Sequence, residues 1–308
     1  MSATAPVRKT HLDGLAIASL VLCCVLWGLN QVASKVTLAD IPPLLQAGIR
    51  SLGAAALVAL WSWRRGIRLA PAANGTGTAG LLAGTLFAAE FACIFLGLQH
   101  TTASRMVVFI YLSPFVVALG MPFTAHAERL GGLQWAGLLA AFAGVSWAFA
   151  EGFHAPSAGA RQWWGDALGV LAALLWGCTT LVIRGSRLAT APAEQTLFYQ
   201  LAVSGLLLTA ASALSGEAWP ALAGLRAQAV WLMGFQTVVV TFASYLLWFW
   251  LMRHYPATRL AAGTLLTPLA GLAAGVALLG EPLTPRLLLA CAAVAVGIVL
   301  VNRPPKAG

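Results

Sequence analysis

The chain has 308 residues, of which 60% are hydrophobic and only 9% are charged. A soluble domain of this length carries roughly 25% charged residues, so the composition excludes a soluble globular protein and predicts an integral membrane protein with several spans. The formal net charge is +9. The basic residues stand singly or in short clusters between apolar runs, which is typical of membrane loops and does not indicate a nucleic-acid surface.

The five cysteines lie inside apolar runs, and no Cys-x-x-Cys or Cys/His spacing occurs. We therefore expect neither a metal site nor a disulfide framework, and we expect no cofactor. The phosphate-binding pattern Gly-x(4)-Gly-Lys-[Ser/Thr] does not occur either, so the chain is not expected to hydrolyse nucleotides itself.

Proline, glycine and charged residues divide the chain into ten apolar runs, each suited to cross a bilayer, which takes about 20 residues. A cytoplasmic N-terminus would put most of the loop arginines and lysines on the inner side, so we predict that both termini are cytoplasmic. The predicted spans are 12–35, 43–63, 79–99, 102–123, 131–150, 165–185, 194–214, 229–251, 256–279 and 285–302.

The sequence also contains an internal repeat. The segment VLWGLNQVASK (25–35) is similar to LLWGCTTLVIR (174–184), and ASRMVVFIYLSP (103–114) is similar to ATRLAAGTLLTP (257–268). Each half holds five predicted spans, and an odd number forces the two copies to insert with opposite orientations. Inverted repeats of this kind are typical of secondary transporters, whose substrate site lies near the midplane between the halves.

We therefore predict an all-α integral membrane fold, in which ten transmembrane helices form two inverted five-helix repeats around a central cavity. The predicted domains are the first repeat, 1–151, and the second, inverted repeat, 152–308. A duplication that serves packing alone, without transport, is the alternative.

The first span contains Trp-Gly-x-Asn followed by a lysine, and the second contains Arg50. Ala-Ser-x(9)-Pro begins at position 103 and Glu-Arg-Leu at position 128. In this order and spacing, the motifs resemble the ten-helix EamA family of the drug/metabolite transporter superfamily, above all bacterial amino-acid exporters of the YddG type. The resemblance implies export of small metabolites across a bacterial inner membrane. We expect the lipid bilayer and a small-molecule substrate as partners, and a monomer as the functional unit.

Polar side chains inside the spans are expected to face protein or a water-filled cavity, because a polar group that faces lipid is costly. In the eighth span, Thr237, Thr241, Ser244 and Trp248 are spaced like one face of an α-helix. Polar and aromatic stripes also run along the first, fourth and sixth spans. The predicted substrate-binding residues are Trp27, Asn30, Glu90, Tyr111, Trp176, Thr179, Thr241, Tyr245 and Trp248.

Each of these residues also has a structural interpretation. A threonine hydroxyl in a membrane helix often bonds to the carbonyl four residues earlier, and a tryptophan can serve packing alone. Glu90 lies near the middle of the third span, so it is expected either to pair with Arg50 or to meet a substrate ammonium or a proton. Pro114 and Pro268 interrupt the backbone hydrogen-bond ladder at matched positions of the two halves, and we predict that they act as hinges.

The predicted function is a secondary transporter that exports amino acids with neutral or aromatic side chains by alternating access. Export of drugs or of other metabolites is the alternative, because the same polar and aromatic side chains suit such molecules. An intramembrane enzyme is disfavoured, since the spans contain no Gly-x-Ser-Gly or His-Glu-x-x-His motif and no pair of catalytic aspartates. A channel is disfavoured because no selectivity filter or ring of charges is visible.

Overall fold

The computed structural model of the protein describes residues 9–69, 75–101, 103–124, 130–148, 150, 161–221, 224–279 and 285–302. Within these ranges every regular element is a helix. The helices are α1 (Gly14–Thr37), α2 (Pro43–Arg64), α3 (Gly77–Leu98), α4 (Ala103–Ile110), α5 (Ser113–Thr124), α6 (Gly132–Ala148), α7 (Gln162–Arg184), α8 (Ala193–Leu214), α9 (Ala227–His254), α10 (Ala257–Gly263), α11 (Leu266–Leu279) and α12 (Pro285–Asn302), with a 3-10 turn at Arg187–Ala189.

Six of the described helices are long and apolar enough to cross a membrane: α1, α2, α3, α7, α8 and α9. Two shorter apolar stretches, Val108–Thr124 and Ala292–Val301, lie in the fourth and tenth predicted spans. Large apolar side chains are exposed along the helices, such as Leu15 at 63%, Leu206 at 64% and Trp231 at 80%. A bilayer covers such side chains, which a soluble protein would bury. The described helices therefore form a membrane-embedded helical protein.

The fourth and ninth predicted spans are each divided into two helices, a larger interruption than a bend. α5 begins one residue before Pro114, and α11 begins two residues before Pro268. Proline has no N–H, and its ring clashes with the carbonyl four residues earlier, so a helix starts readily near a proline, whereas a proline further inside kinks or breaks it. The carbonyls concerned belong to Ile110 and Thr264, and both lie at the end of the preceding helix. The two breaks occupy matched positions of the internal repeat.

α9 contains a π-helical segment, Phe235–Ser244, between two α-helical ends. A π-helix forms its hydrogen bonds between residues five apart instead of four, so its side chains rotate away from the positions that α-helical spacing gives. Thr237 is accordingly only partly buried and packs its methyl group against Gly53 of α2, while the other three residues of the predicted stripe are buried. Gln236, which the stripe did not include, is fully buried.

The helices of the first half pack mainly against helices of the second half. α2 lies against α8, α6 against α12, α1 against α9 and α11, α3 against α7 and α8, and α5 against α7. Glycines allow short approaches at two crossings. A Cβ on Gly28 of α1 would lie 2.6 Å from the backbone N of Gly271 in α11, and one on Gly137 of α6 would lie 2.7 Å from the carbonyl O of Gly297 in α12. Small residues at such crossings let membrane helices pack closely.

α2 starts with Pro43, and a residue far away in the sequence caps its first turn. Glu217, which follows α8, accepts hydrogen bonds from the N–H groups of Leu44 (3.1 Å) and Leu45 (2.9 Å). The Ser212 hydroxyl donates to the same carboxylate at 2.6 Å. The first N–H groups of a helix have no partner within it and form its positive end, so a carboxylate at this place is stabilising. This contact ties the start of α2 to the end of α8.

Candidate functional site

Three predicted residues from α1 and α9 form a contiguous aromatic wall: Trp27, Tyr245 and Trp248. The ring centroid of Trp27 lies 5.3 Å from that of Trp248 and 6.0 Å from that of Tyr245, in both cases edge to face. The indole N–H of Trp27 donates to Oγ of Ser244 at 2.9 Å, and this hydroxyl donates to the carbonyl of Val240 at 2.6 Å. The π-helical segment of α9 therefore fixes the orientation of the Trp27 ring.

Two phenylalanines of α3 connect the aromatic wall to a buried charge. Phe87 lies edge to face against Tyr245, with centroids 6.2 Å apart, and against Phe91, with centroids 4.8 Å apart. The guanidinium carbon of Arg50, on α2, lies 4.6 Å from the centroid of the Phe91 ring, which is a cation–π contact. Four helices, α1, α2, α3 and α9, thus contribute to one buried group of side chains.

Arg50 and Glu90 are nearly inaccessible to solvent, with exposed fractions of 2% and 5%. The two charges lie within electrostatic range of each other and of Tyr245. Among the described residues, however, neither side chain forms an ion pair with the other. Nε of Arg50 and Oε2 of Glu90 have no hydrogen-bond partner within the ranges that the structure describes. Buried charges are normally paired and hydrogen-bonded, so both groups retain unused bonding capacity.

Tyr111 and Trp176 form a second aromatic pair, with centroids 5.7 Å apart and an angle of 74° between the rings. Tyr111 directly follows the last residue of α4, so the break before α5 sets the position of its ring. Its side chain is buried and lies within electrostatic range of Glu90 and Tyr245. Tyr111 of the second pair and Tyr245 of the aromatic wall therefore both lie within electrostatic range of Glu90.

The remaining predicted residues differ in how their polar atoms are used. The Thr179 hydroxyl donates to the carbonyl of Leu175 at 2.8 Å, which is the local bond that a threonine in a membrane helix often makes. Oδ1 of Asn30 and Oγ1 of Thr241 are buried and have no hydrogen-bond partner in the described part of the chain. Asn30 and Thr241, unlike Thr179, therefore keep a polar atom available inside the protein.

Comparison with known proteins identifies the family. The sequence model of the EamA-like transporter family matches residues 14–150 and 163–303. The chain belongs to the EamA-like transporter family. It is 29% identical to an uncharacterised transporter of Synechocystis sp., over 96% of this chain and 92% of the relative. It is also 28% identical to a probable amino-acid metabolite efflux pump of Escherichia coli strain K12, over 85% of this chain and 86% of the relative.

The fold of this EamA-like transporter is also found in a solved crystal structure. The two share a TM-score of 0.78 over 94% of this chain and 96% of that chain, at 17% sequence identity. At that identity the likeness concerns the fold alone. The family resemblance of the sequence motifs is confirmed, and with it the interpretation as a membrane transporter.

Two hydroxyl–carboxylate contacts hold helices of this EamA-like chain together at opposite ends of the bundle. At the end where α1 begins, the Tyr255 hydroxyl, between α9 and α10, donates to the Asp13 carboxylate at 2.9 and 3.0 Å. At the end where α1 finishes, the Thr101 hydroxyl, between α3 and α4, donates to Asp166 near the start of α7 at 2.6 Å. Thr101 and Tyr255 each follow a histidine and occupy the same position of the internal repeat.

The Asp13 carboxylate has further partners at its end of the bundle. The Lys9 ammonium donates to it, and so does the N–H of Ala16 at 2.9 Å. These two donors, followed by the Tyr255 hydroxyl, lower the pKa of Asp13 from 3.8 to about 2. The backbone N–H of Lys9 also donates to the carbonyl of His254 at 3.0 Å. Asp13 is therefore ionised at neutral pH and joins the start of α1 to the end of α9.

A buried amide network, not among the predicted site residues, joins α1, α2 and α9 at the opposite end. Oε1 of Gln236 accepts from Nε2 of Gln46 at 2.9 Å and from Oγ of Ser34 at 3.1 Å, and its Nε2 donates to Oγ1 of Thr37 at 3.1 Å. Both glutamines are 0% exposed. Gln46 could have indicated the network, because an amide inside a predicted span needs partners.

Proposed function

We propose that this protein is a secondary transporter that exports small organic metabolites, above all amino acids with neutral or aromatic side chains, across a bacterial inner membrane. The observation that carries the proposal is the aromatic wall beside buried polar atoms that have no partner. Aromatic faces suit an apolar side chain, and unused polar atoms suit the charged groups of an amino acid. Two relatives, from Escherichia coli and Salmonella typhimurium, are named probable amino-acid metabolite efflux pumps, which supports this substrate class.

The proposed architecture has ten spans in two inverted halves, 1–151 and 152–308. The described helices give ten segments when α4 with α5, and α10 with α11, each count as one broken span. The family model matches each half separately, which supports a repeat. The packing supports a twofold relation, because α3 lies against α7 as α9 lies against α1, and α5 lies against α7 as α11 lies against α1. Five spans in each half make the two copies run in opposite directions.

The proposed topology puts both termini in the cytoplasm, on the side that collects most basic loop residues. Contacts between connecting segments support this topology. Because successive spans cross the membrane in alternating directions, each connecting segment is assigned to one side, and each contact joins segments assigned to the same side. Arg226 donates to both carboxylate oxygens of Asp40 at 2.8 and 2.7 Å, and both residues belong to the proposed periplasmic side. This guanidinium lowers the pKa of Asp40. Asp13 and Tyr255 belong to the proposed cytoplasmic side.

Alternating access requires the two ends of the bundle to open in turn. In the proposed cycle, opening the cytoplasmic end separates Asp13 from Tyr255, and opening the periplasmic end separates Thr101 from Asp166. Each contact holds its end closed while the other end is open. The proline breaks of the fourth and ninth spans are the proposed hinges, because each break lets one part of a span move without the other.

Counterflow in proteoliposomes tests the proposal. Vesicles that contain the purified protein and unlabelled phenylalanine should take up radiolabelled phenylalanine. Replacing Trp27, Asn30, Tyr111 or Trp248 by alanine should slow the uptake while each variant still purifies as a folded protein. Trp63, which is 77% exposed on α2, is the matched control, and Trp63→Ala should transport normally. Absence of counterflow for every member of an amino-acid panel would refute the substrate class, and normal rates in all four variants would refute the site.

A further inference from the structure

We infer that Arg50 and Glu90 form the head-group site for a zwitterion, in which Arg50 binds the carboxylate and Glu90 binds the ammonium of an amino acid. The inference rests on the proposed function and specifies how its substrate is recognised. It gives Arg50 a recognition role, and it restricts the preferred substrate to molecules that carry both charges close together.

The geometry of the two charges carries this inference. Arg50 on α2 and Glu90 on α3 are both buried and lie within electrostatic range of each other. In the described part of the chain, Nε of Arg50 is a donor without an acceptor, and Oε2 of Glu90 is an acceptor without a donor. A buried polar atom without a partner has lost its hydrogen bonds to water and gained none. Two such atoms of opposite character, on side chains within electrostatic range of each other, suit a ligand that supplies an acceptor to one and a donor to the other.

The charges determine the class of this ligand. A guanidinium binds carboxylates through its planar set of donors, and a carboxylate accepts hydrogen bonds from an ammonium group. A ligand with only one charged group would leave the second buried charge unmatched. An α-amino acid matches both, because its carboxylate and ammonium are attached to the same carbon.

Aromatic side chains lie next to the two charges. The ring of Phe91 lies against the Arg50 guanidinium, Phe87 lies against Phe91, and Tyr245 of the aromatic wall lies against Phe87. The head-group site thus continues directly into apolar, aromatic surface. A substrate held by its head group would direct an apolar side chain along these rings.

The internal repeat separates a role in recognition from a role in folding. In the second half, the residue that matches Arg50 is Gln200, because α2 and α8 begin and end 150 positions apart, and the residue that matches Glu90 is Thr241. If the fold itself needed this pair of charges, the second half, with the same helices, would need it as well. Charges in one copy only suit an asymmetric ligand, which has to be held in one orientation.

Three ligands of similar size test the assignment. Phenylalanine carries both charges, phenethylamine lacks the carboxylate, and 3-phenylpropionate lacks the ammonium. Their binding to purified protein is measured by the ligand-dependent rise of the melting temperature. Arg50→Gln should weaken the binding of phenylalanine and 3-phenylpropionate at least about tenfold, as expected for the loss of one charge-assisted hydrogen bond, and should not weaken the binding of phenethylamine. Glu90→Gln should weaken the binding of phenylalanine and phenethylamine and should not weaken the binding of 3-phenylpropionate.

Matched controls distinguish this crossed pattern from general damage. Arg65, at the end of α2, also stacks on an aromatic ring, 4.5 Å from the centroid of Trp61, and Glu194 lies in the first turn of α8. Arg65→Gln and Glu194→Gln should bind all three ligands as the wild type does. If either neutral variant fails to fold, Arg50→Lys and Glu90→Asp keep the charge and should show the same crossed pattern at smaller size.

Each outcome bears on a different statement. If the Arg50 and Glu90 variants bind all three ligands equally more weakly than the wild type, the pair is structural and the inference is overturned. Binding that is unchanged in these variants would also overturn it. Wild-type protein that binds phenylalanine no better than the two analogues would also overturn it. Wild-type protein that neither binds the three ligands nor transports any amino acid would refute the proposed function itself.

Discussion

The buried amide network at the proposed periplasmic end gives a quantitative prediction for stability. The Gln236 side chain hydrogen-bonds to Ser34 and Thr37 of α1 and to Gln46 of α2. Hydrogen bonds between membrane helices contribute on average about 0.6 kcal/mol each. Gln236→Leu, which removes these bonds with little change in size, should therefore lower the free energy of unfolding by about 2 kcal/mol.

A double-mutant cycle tests whether the two glutamines act together. Gln46 donates to Gln236 and, at 3.4 Å, to the carbonyl of Ser34, so Gln46→Leu alone should cost about 1 kcal/mol. Both single variants lose the same Gln46–Gln236 bond, and each leaves one buried amide without its partner. The double variant should therefore be destabilised by less than the sum of the single variants, by at least about 0.6 kcal/mol.

The free energies are measured by reversible unfolding in mixed micelles of SDS and a mild detergent, with tryptophan fluorescence as the signal. Gln99→Leu, at the exposed end of α3, is the control and should change the stability by no more than about 0.5 kcal/mol. Single effects that add within about 0.3 kcal/mol would refute the coupling, because independent sites add in this way.

Three further predictions concern the ends of the bundle. Glu217→Ala removes the acceptor for two N–H groups at the start of α2 and should lower the free energy of unfolding by about 1–2 kcal/mol in the same assay. Because the pKa of Asp13 falls from 3.8 to about 2 on folding, the higher melting temperature of wild type over Asp13→Asn should be complete above pH 3.8 and disappear as the pH falls to about 2. An advantage that persists at that pH would contradict this assignment. In a background without other cysteines, a cysteine at Ser157 should react with an impermeant maleimide from the periplasm and one at Ile67 should not, and equal labelling would contradict the topology.

The positions of the spans could be predicted because the signals that set them are local. The predicted span 43–63 differs by one residue from α2, Pro43–Arg64, and the predicted span 194–214 differs by one residue from α8, Ala193–Leu214. A proline at or just before the first helical residue marks both starts, and an apolar run of the right length determines the rest.

The use of individual side chains could be predicted less well, because it depends on helix geometry and on partners from other helices. α-Helical spacing put Thr237 on the stripe, whereas the π-helical segment turns it aside and buries Gln236. The sequence allows the Thr179 hydroxyl to bond either to its own helix or to a ligand, and the structure shows the bond within the helix. The contact between Trp27 and Ser244 needs two spans far apart in sequence, so no local pattern predicts it.

Some positions of the internal repeat carry similar residues in both halves, and others carry a charge in one half only. The requirements of the proposed transport cycle explain this difference. In the proposed architecture of two inverted halves, opening at one membrane face and opening at the other would be equivalent motions. The proposed hinges and closing contacts should therefore recur, as the proline breaks and the hydroxyl groups of Thr101 and Tyr255 do. A substrate with two different ends has no such symmetry, and the charges of Arg50 and Glu90 occur in one half only. Substitutions of Thr101 and Tyr255 should therefore change which end of the bundle is open. Substitutions of Arg50 and Glu90 should instead change which ligand binds.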